Sequence, residues 1–185
     1  SADLLLRRYL QENGEYPKHL GLSVWGTATM RTGGDDIAQA LALMGVRPVW
    51  ATGSNRVVDF EILPMGILAR PRIDVTLRVS GFFRDAFMNV IMLFDQAVRM
   101  VADLDEQLTD NYLRARVLAE QQQLRQQGFS DSVAAQRSRF RVFGSKPGAY
   151  GAGLQGLIDQ HCWQSKQDLA EAYLNWGAYA YGQNH

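Results

Sequence analysis

The chain has 185 residues, 46% of them hydrophobic and 21% charged, which suits one domain with a real core, or one domain with an appendage, better than two small ones. Its 19 basic side chains balance 19 acidic ones, so no global field draws it to nucleic acid or to an anionic membrane. A single cysteine, Cys162, excludes an internal disulfide, and a cytoplasmic location is expected.

No uncharged apolar run reaches the length a bilayer demands. The start, Ser1-Ala2-Asp3-Leu4, has no basic region leading into an apolar one and is not a signal peptide. The absence of an initiator Met, with an end at Tyr181-Gly182-Gln183-Asn184-His185, is expected of a piece cut from a longer polypeptide.

Leu4, Leu5, Leu6, Tyr9 and Leu10 predict a short amphipathic helix stopped by Asn13-Gly14. Leu20, Leu22 and Val24 alternate into a strand that ends at Trp25-Gly26. The residues from Thr27 to Asp36 read as a polar loop leading into a helix striped by Ile37, Ala40, Leu41 and Met44. Val46 to Trp50 and Val57 to Leu63 are two further strands around the turn-forming Thr52-Gly53-Ser54-Asn55, with an antiparallel pairing open to them.

The clearest pattern follows Arg70-Pro71-Arg72. Ile73, Val75, Leu77 and Val79 alternate with Asp74, Thr76, Arg78 and Ser80, as a strand with one buried and one polar face requires. After Ser80-Gly81 the period changes: Phe83, Phe87, Val90, Ile91, Phe94, Ala97, Val98 and Val101 predict one long helix. A strand opening directly onto a helix leaves first-turn N–H groups facing outward, the joint where α/β proteins keep sites.

Asp103, Asp105, Glu106 and Asp110 form an acidic boundary. The helix from Asn111 to Gln127 has only Leu113, Val117, Leu118 and Leu124 as substantial apolar residues, so it is expected to project or to meet a partner. Gly128 and Ser130 mark a stop and a new start, Phe140 to Phe143 a further strand, and Leu154 to Gln160 a short helix. Ser165 with Asp168 reads as a capping box opening the last helix.

The expected fold is therefore α/β: a small, mostly parallel sheet of about four strands with flanking helices, Rossmann-like or flavodoxin-like, followed by a helical C-terminal part. Residues 1–108 form the α/β core, and 109–185 a mostly helical extension packed on it or continuous with it.

Several motifs are excluded by spacing. The glycine-rich run Gly144 to Gly153 lacks G-x-x-x-x-G-K-[ST], and its Lys146 precedes Pro147 instead of opening a helix. Gly26 to Gly34 contains no G-x-G-x-x-G. There is no G-x-S-x-G elbow. His161 and Cys162, as neighbours, point apart, Cys162 reads as core, and His19 and His185 stand in no metal-spaced cluster.

What remains is a set of polar groups expected at one sheet edge: Thr27 and Arg31 after the first strand, Arg84 and Asp85 in the first turn after Gly81, Lys146 and Tyr150 in the glycine loop. A cation in a helix's first turn opposes the macrodipole; Arg84 therefore calls for an anion, either Asp74 or Asp85 within the chain or a carboxylate-bearing ligand. The phenylalanines and methionines around it (Phe82, Phe83, Phe87, Phe94, Met88, Met92, Met100) read as core at helical period, or as the wall for a flat hydrophobic ligand. Between Asp131 and Asp159 there is no acid, while Arg137, Arg139, Arg141 and Lys146 fall inside the interval, so one face is expected to be locally basic.

Three stretches together resemble one family: Gly21-Leu22-Ser23-Val24-Trp25-Gly26-Thr27 running to Arg31-Thr32-Gly33-Gly34-Asp35-Asp36; Arg70-Pro71-Arg72-Ile73-Asp74-Val75 through Ser80-Gly81-Phe82-Phe83-Arg84-Asp85; and Phe143 to Leu154. The family is the large subunit of the cobaltochelatase of aerobic cobalamin biosynthesis, related to the large, porphyrin-binding subunit of magnesium chelatase. The likeness runs through essentially the whole chain and covers only an internal part of that subunit. Thr32-Gly33-Gly34-Asp35-Asp36 and the glycine loop are more similar to the cobalt branch.

The resemblance implies ATP-dependent insertion of Co(II) into hydrogenobyrinic acid a,c-diamide. ATP and Mg would be handled by two partner subunits, one an AAA+ ring. Magnesium insertion into protoporphyrin IX is the alternative. Thr27, Arg31, Arg84, Asp85, Lys146 and Tyr150 become the candidates for holding a polycarboxylate tetrapyrrole, while no catalytic base or metal ligand set is evident. The isolated piece is expected to be inactive. A competing reading makes it a docking module for the ATPase subunits, through the helix from Asn111 and the basic run after it; a third makes it a nucleotide-binding Rossmann-like enzyme.

Overall fold

The computed structural model describes residues 2–53, 57–154, 159 and 165–183. In chain order the elements are α1 (Ala2–Asn13), β1 (His19–Val24), α2 (Gly26–Thr32), α3 (Asp35–Leu43), β2 (Val46–Trp50), β3 (Val57–Ile62), α4 (Met65–Leu68), β4 (Asp74–Val79), α5 (Gly81–Ala86), α6 (Met88–Ala102), α7 (Tyr112–Gln126), α8 (Asp131–Arg137), β5 (Val142–Gly144), α9 (Lys166–Trp176) and β6 (Tyr179–Ala180).

The α/β expectation holds, with a four-stranded, mostly parallel sheet in the order β1-β4-β5-β6. β1 runs parallel to β4 from His19↔Asp74 to Val24↔Val79, and β5 is parallel to β4 from Leu77↔Val142 to Val79↔Gly144. β6 adds an antiparallel edge to β5. The alternation read in β4 is real on one face: Val75, Leu77 and Val79 are at most 3% exposed and share a core with Ile91, Phe94 and Val98 of α6. Burying each such side chain stabilises the fold by about 1.5–3 kcal/mol.

Membership of the sheet differs from expectation. β2 and β3 pair antiparallel as a separate two-stranded ribbon. Pro48 lies within β2 and has no N–H for a ladder, so this segment suits an edge and not a sheet interior. Their places are taken by β5, which overlaps the further strand expected over Phe140 to Phe143, and by β6, which no alternating run announced.

Three local expectations are also corrected. The stretch after Trp25 is helix α2 and not a loop, closed at Gly33 in the left-handed conformation (φ 74°). The helix after Gly81 is two helices, broken at Phe87 (φ −129°, ψ 34°), although its apolar stripe continues through the break. α7 does not project: Leu113 and Val117 are buried, and the helix packs on α6, α8 and β4. The Ser165 capping box is present, Ser165 Oγ accepting from Asp168 N at 3.2 Å and Asp168 Oδ2 from Ser165 N at 2.9 Å. Most of the helix expected over 154–160, and His161, Cys162 and His185, lie outside the described residues.

The acidic boundary turns out to be a set of partners for arginine. Arg72, 1% exposed, meets Glu106 through Nε (2.8 Å) and Nη2 (2.8 Å). It also donates to the carbonyls of Met44 (3.1 Å), Gly45 (3.2 Å) and Leu63 (2.7 Å). One guanidinium thus joins the end of α3, both feet of the β2–β3 ribbon and the α6–α7 turn. Asp103 pairs with Arg139 and Asp105 with Arg114.

Candidate functional site

Parallel pairing brings the carboxyl ends of β1, β4 and β5 to one rim, where chain connections can meet a ligand. Ser80 N donates to Val24 O at 3.0 Å, and Ser80 Oγ accepts from Gly26 N at 3.3 Å and from Phe83 N at 3.1 Å. Ser80 therefore ties the start of α2 to the start of α5 and caps α5. Of the first-turn N–H groups expected to face outward, that of Phe83 is occupied by Ser80.

Arg84 is the centre of this rim and is itself buried, 2% exposed. Its Nε and Nη2 grip Asp85 Oδ1 (2.7 Å) and Oδ2 (3.0 Å). Nη1 points into the glycine loop, toward the carbonyls of Ser145 (3.1 Å), Lys146 (2.7 Å) and Ala149 (3.2 Å). A guanidinium engaged by a carboxylate and three carbonyls has no fork left for a ligand. Of the two anions open to Arg84 it takes Asp85, while Asp74 belongs to Arg141. The hydrogen bonds Arg84 donates to Asp85 raise its pKa well above the usual guanidinium range despite burial.

Around that clamp the loop is shaped by its own sequence. Ala149 N donates to Lys146 O at 2.9 Å across Pro147-Gly148, with Gly148 at φ 78°. Ser145 Oγ donates to Ala149 O at 2.6 Å, and the Tyr181 hydroxyl donates to Ser145 O. Tyr150 then lies against Gly81: a Cβ there would come within 2.7 Å of the Tyr150 ring and 2.9 Å of Ala149 O. The Tyr150 hydroxyl donates to Asp85 Oδ2 at 2.6 Å.

Of the sequence candidates, Arg84, Asp85, Lys146 and Tyr150 are therefore brought together. Asp85, Lys146 and Tyr150 face solvent. Thr27, also exposed, sits at the same rim one residue beyond Gly26. Arg31 lies a turn further along α2, exposed, with no ion pair among the described residues. Asp85 is kept below the ordinary carboxylate range, first by Arg84 and then by Tyr150. The Tyr150 hydroxyl is pushed up by Asp85. A carboxylate so stabilised is a poor proton acceptor and a good acceptor of N–H donors.

Beside the rim lies a feature the sequence pattern assigned mainly to the core. A groove of about 980 Å³ runs between α2, α3, the ribbon and the α5–α6 joint, lined by Met30, Ile37, Trp50, Phe82, Phe87 and Val90 among others. Phe83 and Phe94 are core, as expected, but Phe82 is 43% exposed, Met88 41% and Met100 47%. Among the described residues no three His, Cys, Asp or Glu side chains are grouped to hold a metal, and no helix is long and apolar enough to cross a membrane.

The model of the CobN/Magnesium Chelatase family matches residues 1–185. The chain is 65% identical over 182 residues to the aerobic cobaltochelatase subunit CobN of Pseudomonas aeruginosa, covering 98% of this chain and 15% of that protein. It is 38% identical over 178 residues to the chloroplastic magnesium-chelatase subunit ChlH of Oryza sativa subsp. japonica, covering 96% of this chain and 12% of that protein. The structure of the catalytic subunit of cobaltochelatase from Mycobacterium tuberculosis superposes with a TM-score of 0.88 at 54% identity, over 99% of this chain and 15% of that one. The chain thus spans about a seventh of these relatives, 15% of the cobalt ones and 12% of the magnesium one, and it belongs to the CobN/magnesium chelatase family.

Proposed function

We propose that this chain is the part of a cobaltochelatase large subunit that receives the polar edge of the tetrapyrrole. Co(II) is a substrate, and hydrogenobyrinic acid a,c-diamide is the ring into which the complete enzyme inserts it. ATP hydrolysis would be supplied by two partner subunits in the cytoplasm, one of them an AAA+ ring. The cobalt branch is favoured by the 65% identity to a cobaltochelatase subunit against 38% to a magnesium-chelatase one.

The observation that carries the reading is the rim, where exposed Thr27, Asp85, Lys146 and Tyr150 gather at the carboxyl ends of three parallel strands, beside an apolar groove. The groove's volume lies at the upper end of the range of small-molecule sites, roughly 300–1,000 Å³. A flat ring would rest against Phe82 and Phe87, with its substituents toward the rim. Lys146 and Arg31 would hold carboxylates, and Asp85 would accept from an amide N–H. Arg84 would act through Asp85 and the loop, without touching the ring. Because Arg84 and Tyr150 lower the Asp85 pKa and so make it a weak base, the removal of ring N–H protons would fall to a group elsewhere in the subunit.

The test is a fluorescence-quenching titration of the intact subunit with hydrogenobyrinic acid a,c-diamide. Lys146→Ala and Asp85→Asn should each weaken binding by about tenfold, the cost of one charge-assisted hydrogen bond. Unchanged affinity in both would refute a role for this rim. Tighter binding of protoporphyrin IX than of the corrinoid would instead place the chain in the magnesium branch.

A further inference from the structure

The second face of the sheet carries a cavity unrelated to the rim, toward the opposite end of the strands. It has a volume of about 440 Å³ and lies between β4, α7, α8 and the start of β5, where Thr76, Arg116, Glu120, Gln123, Arg137 and Arg141 line it. The basic run read in the sequence is divided here. Arg139 is drawn away to Asp103 at 2.6 Å. Arg137 stays exposed with its guanidinium over the Phe129 ring at 4.7 Å.

Arg141 is 4% exposed. Its Nε donates to Asp74 Oδ1 at 2.7 Å and its Nη1 to Glu120 Oε2 at 3.2 Å and to the carbonyls of Ser138 (2.9 Å) and Phe140 (2.8 Å). Its Nη2 is buried and has no hydrogen-bond partner. A buried charged donor without an acceptor is rare, and it leaves part of the Arg141 charge at the cavity wall unsatisfied. The charges at the cavity point the same way. Three guanidiniums, on Arg116, Arg137 and Arg141, stand against two carboxylates, Asp74 and Glu120, so one positive charge is left over. Both Glu120 oxygens are already taken, Oε1 by Arg116 (2.7 Å) and Oε2 by Arg141 (3.2 Å).

We propose that this cavity is a binding site for a small oxyanion, a phosphate or a carboxylate, held by the exposed guanidiniums of Arg116 and Arg137 and the Gln123 amide, with the incompletely paired charge of buried Arg141 behind them. Bidentate contact with two guanidiniums and a neutral amide donor is the arrangement such anions select. The site is independent of the rim, and its use does not require the chelatase reading.

The experiment is calorimetric titration of the intact subunit with inorganic phosphate and, separately, with citrate, in chloride buffer at matched ionic strength. At least one of the two should give saturable heat, and which one does identifies the ligand as phosphate or carboxylate. Arg137→Ala, which removes an exposed side chain, should weaken binding about tenfold. Glu120→Gln should tighten it, because a competing charge is removed and the acceptors of Arg116 and Arg141 are weakened. No saturable heat with either anion, or binding unaltered in both variants, would overturn the proposal.

Discussion

Asp85 illustrates how neighbours decide what a titratable group can do. Arg84 and Tyr150 hold its pKa below the ordinary carboxylate value, so its favourable contribution is complete above pH ~4 and is lost as pH falls through the lowered folded value. Tyr150 has the opposite sign. Its pKa is raised, so its contribution holds below pH ~10 and fades as pH climbs through the raised folded value. The expected outcome is a rim loop ordered across the neutral range and released at both extremes. Ring resonances of selectively labelled tyrosine, followed against pH, would show it. Asp85→Asn should abolish the acid transition; an acid limb that persists in that variant would assign the transition to another group. Pairing between adjacent residues was among the readings open to the sequence. That Arg84 would also bind three carbonyls more than sixty positions later was not, because nothing local to Ser145 or Ala149 signals a cation.

At the scale of elements, what the sequence conveyed and what it withheld separate cleanly. β4 and the switch of period after Gly81 were legible because each residue's burial there follows from its own strand or helix. The pairing of strands was not, since alternation in Val46 to Trp50 or Val57 to Leu63 says nothing about the neighbour. α2 was misread because Thr-Ala-Thr-Met-Arg-Thr between glycines has poor helix propensity; its packing on α5 and α3 overrides that preference. Arg141 was read as part of a basic surface, yet its partner Asp74 lies 67 positions earlier. Arg72 gives the element-scale prediction. Arg72→Met would leave Glu106 without its cation, with only the Asn111 amide donating to it among the described residues, and would remove the Arg72 donor from the carbonyls of Met44, Gly45 and Leu63, a loss of about 3–5 kcal/mol by analogy with broken buried pairs. Urea unfolding would report it as a lower midpoint with an unchanged slope. A stability loss well below about 1 kcal/mol would mean that the ribbon is anchored by packing alone.

For the molecule as a whole, the share of the relatives it spans, 15% for the cobalt ones, governs what activity to expect. Asp85 at the rim is a weak base, because Arg84 and Tyr150 lower its pKa. The 185-residue chain alone, given Co(II), corrinoid and ATP, should therefore produce no metallated product by absorbance, whereas the complete enzyme should. Turnover by the isolated chain would place a base and a metal site within it.

The reach of the Arg84 guanidinium has a mechanical side. Because a single planar group fastens Ser145, Lys146 and Ala149 to the head of α5, while Ser80 stitches that same head to α2, the three strand-end connections cannot travel separately. A ligand pressing on any one of them would swing all three like fingers of one hand.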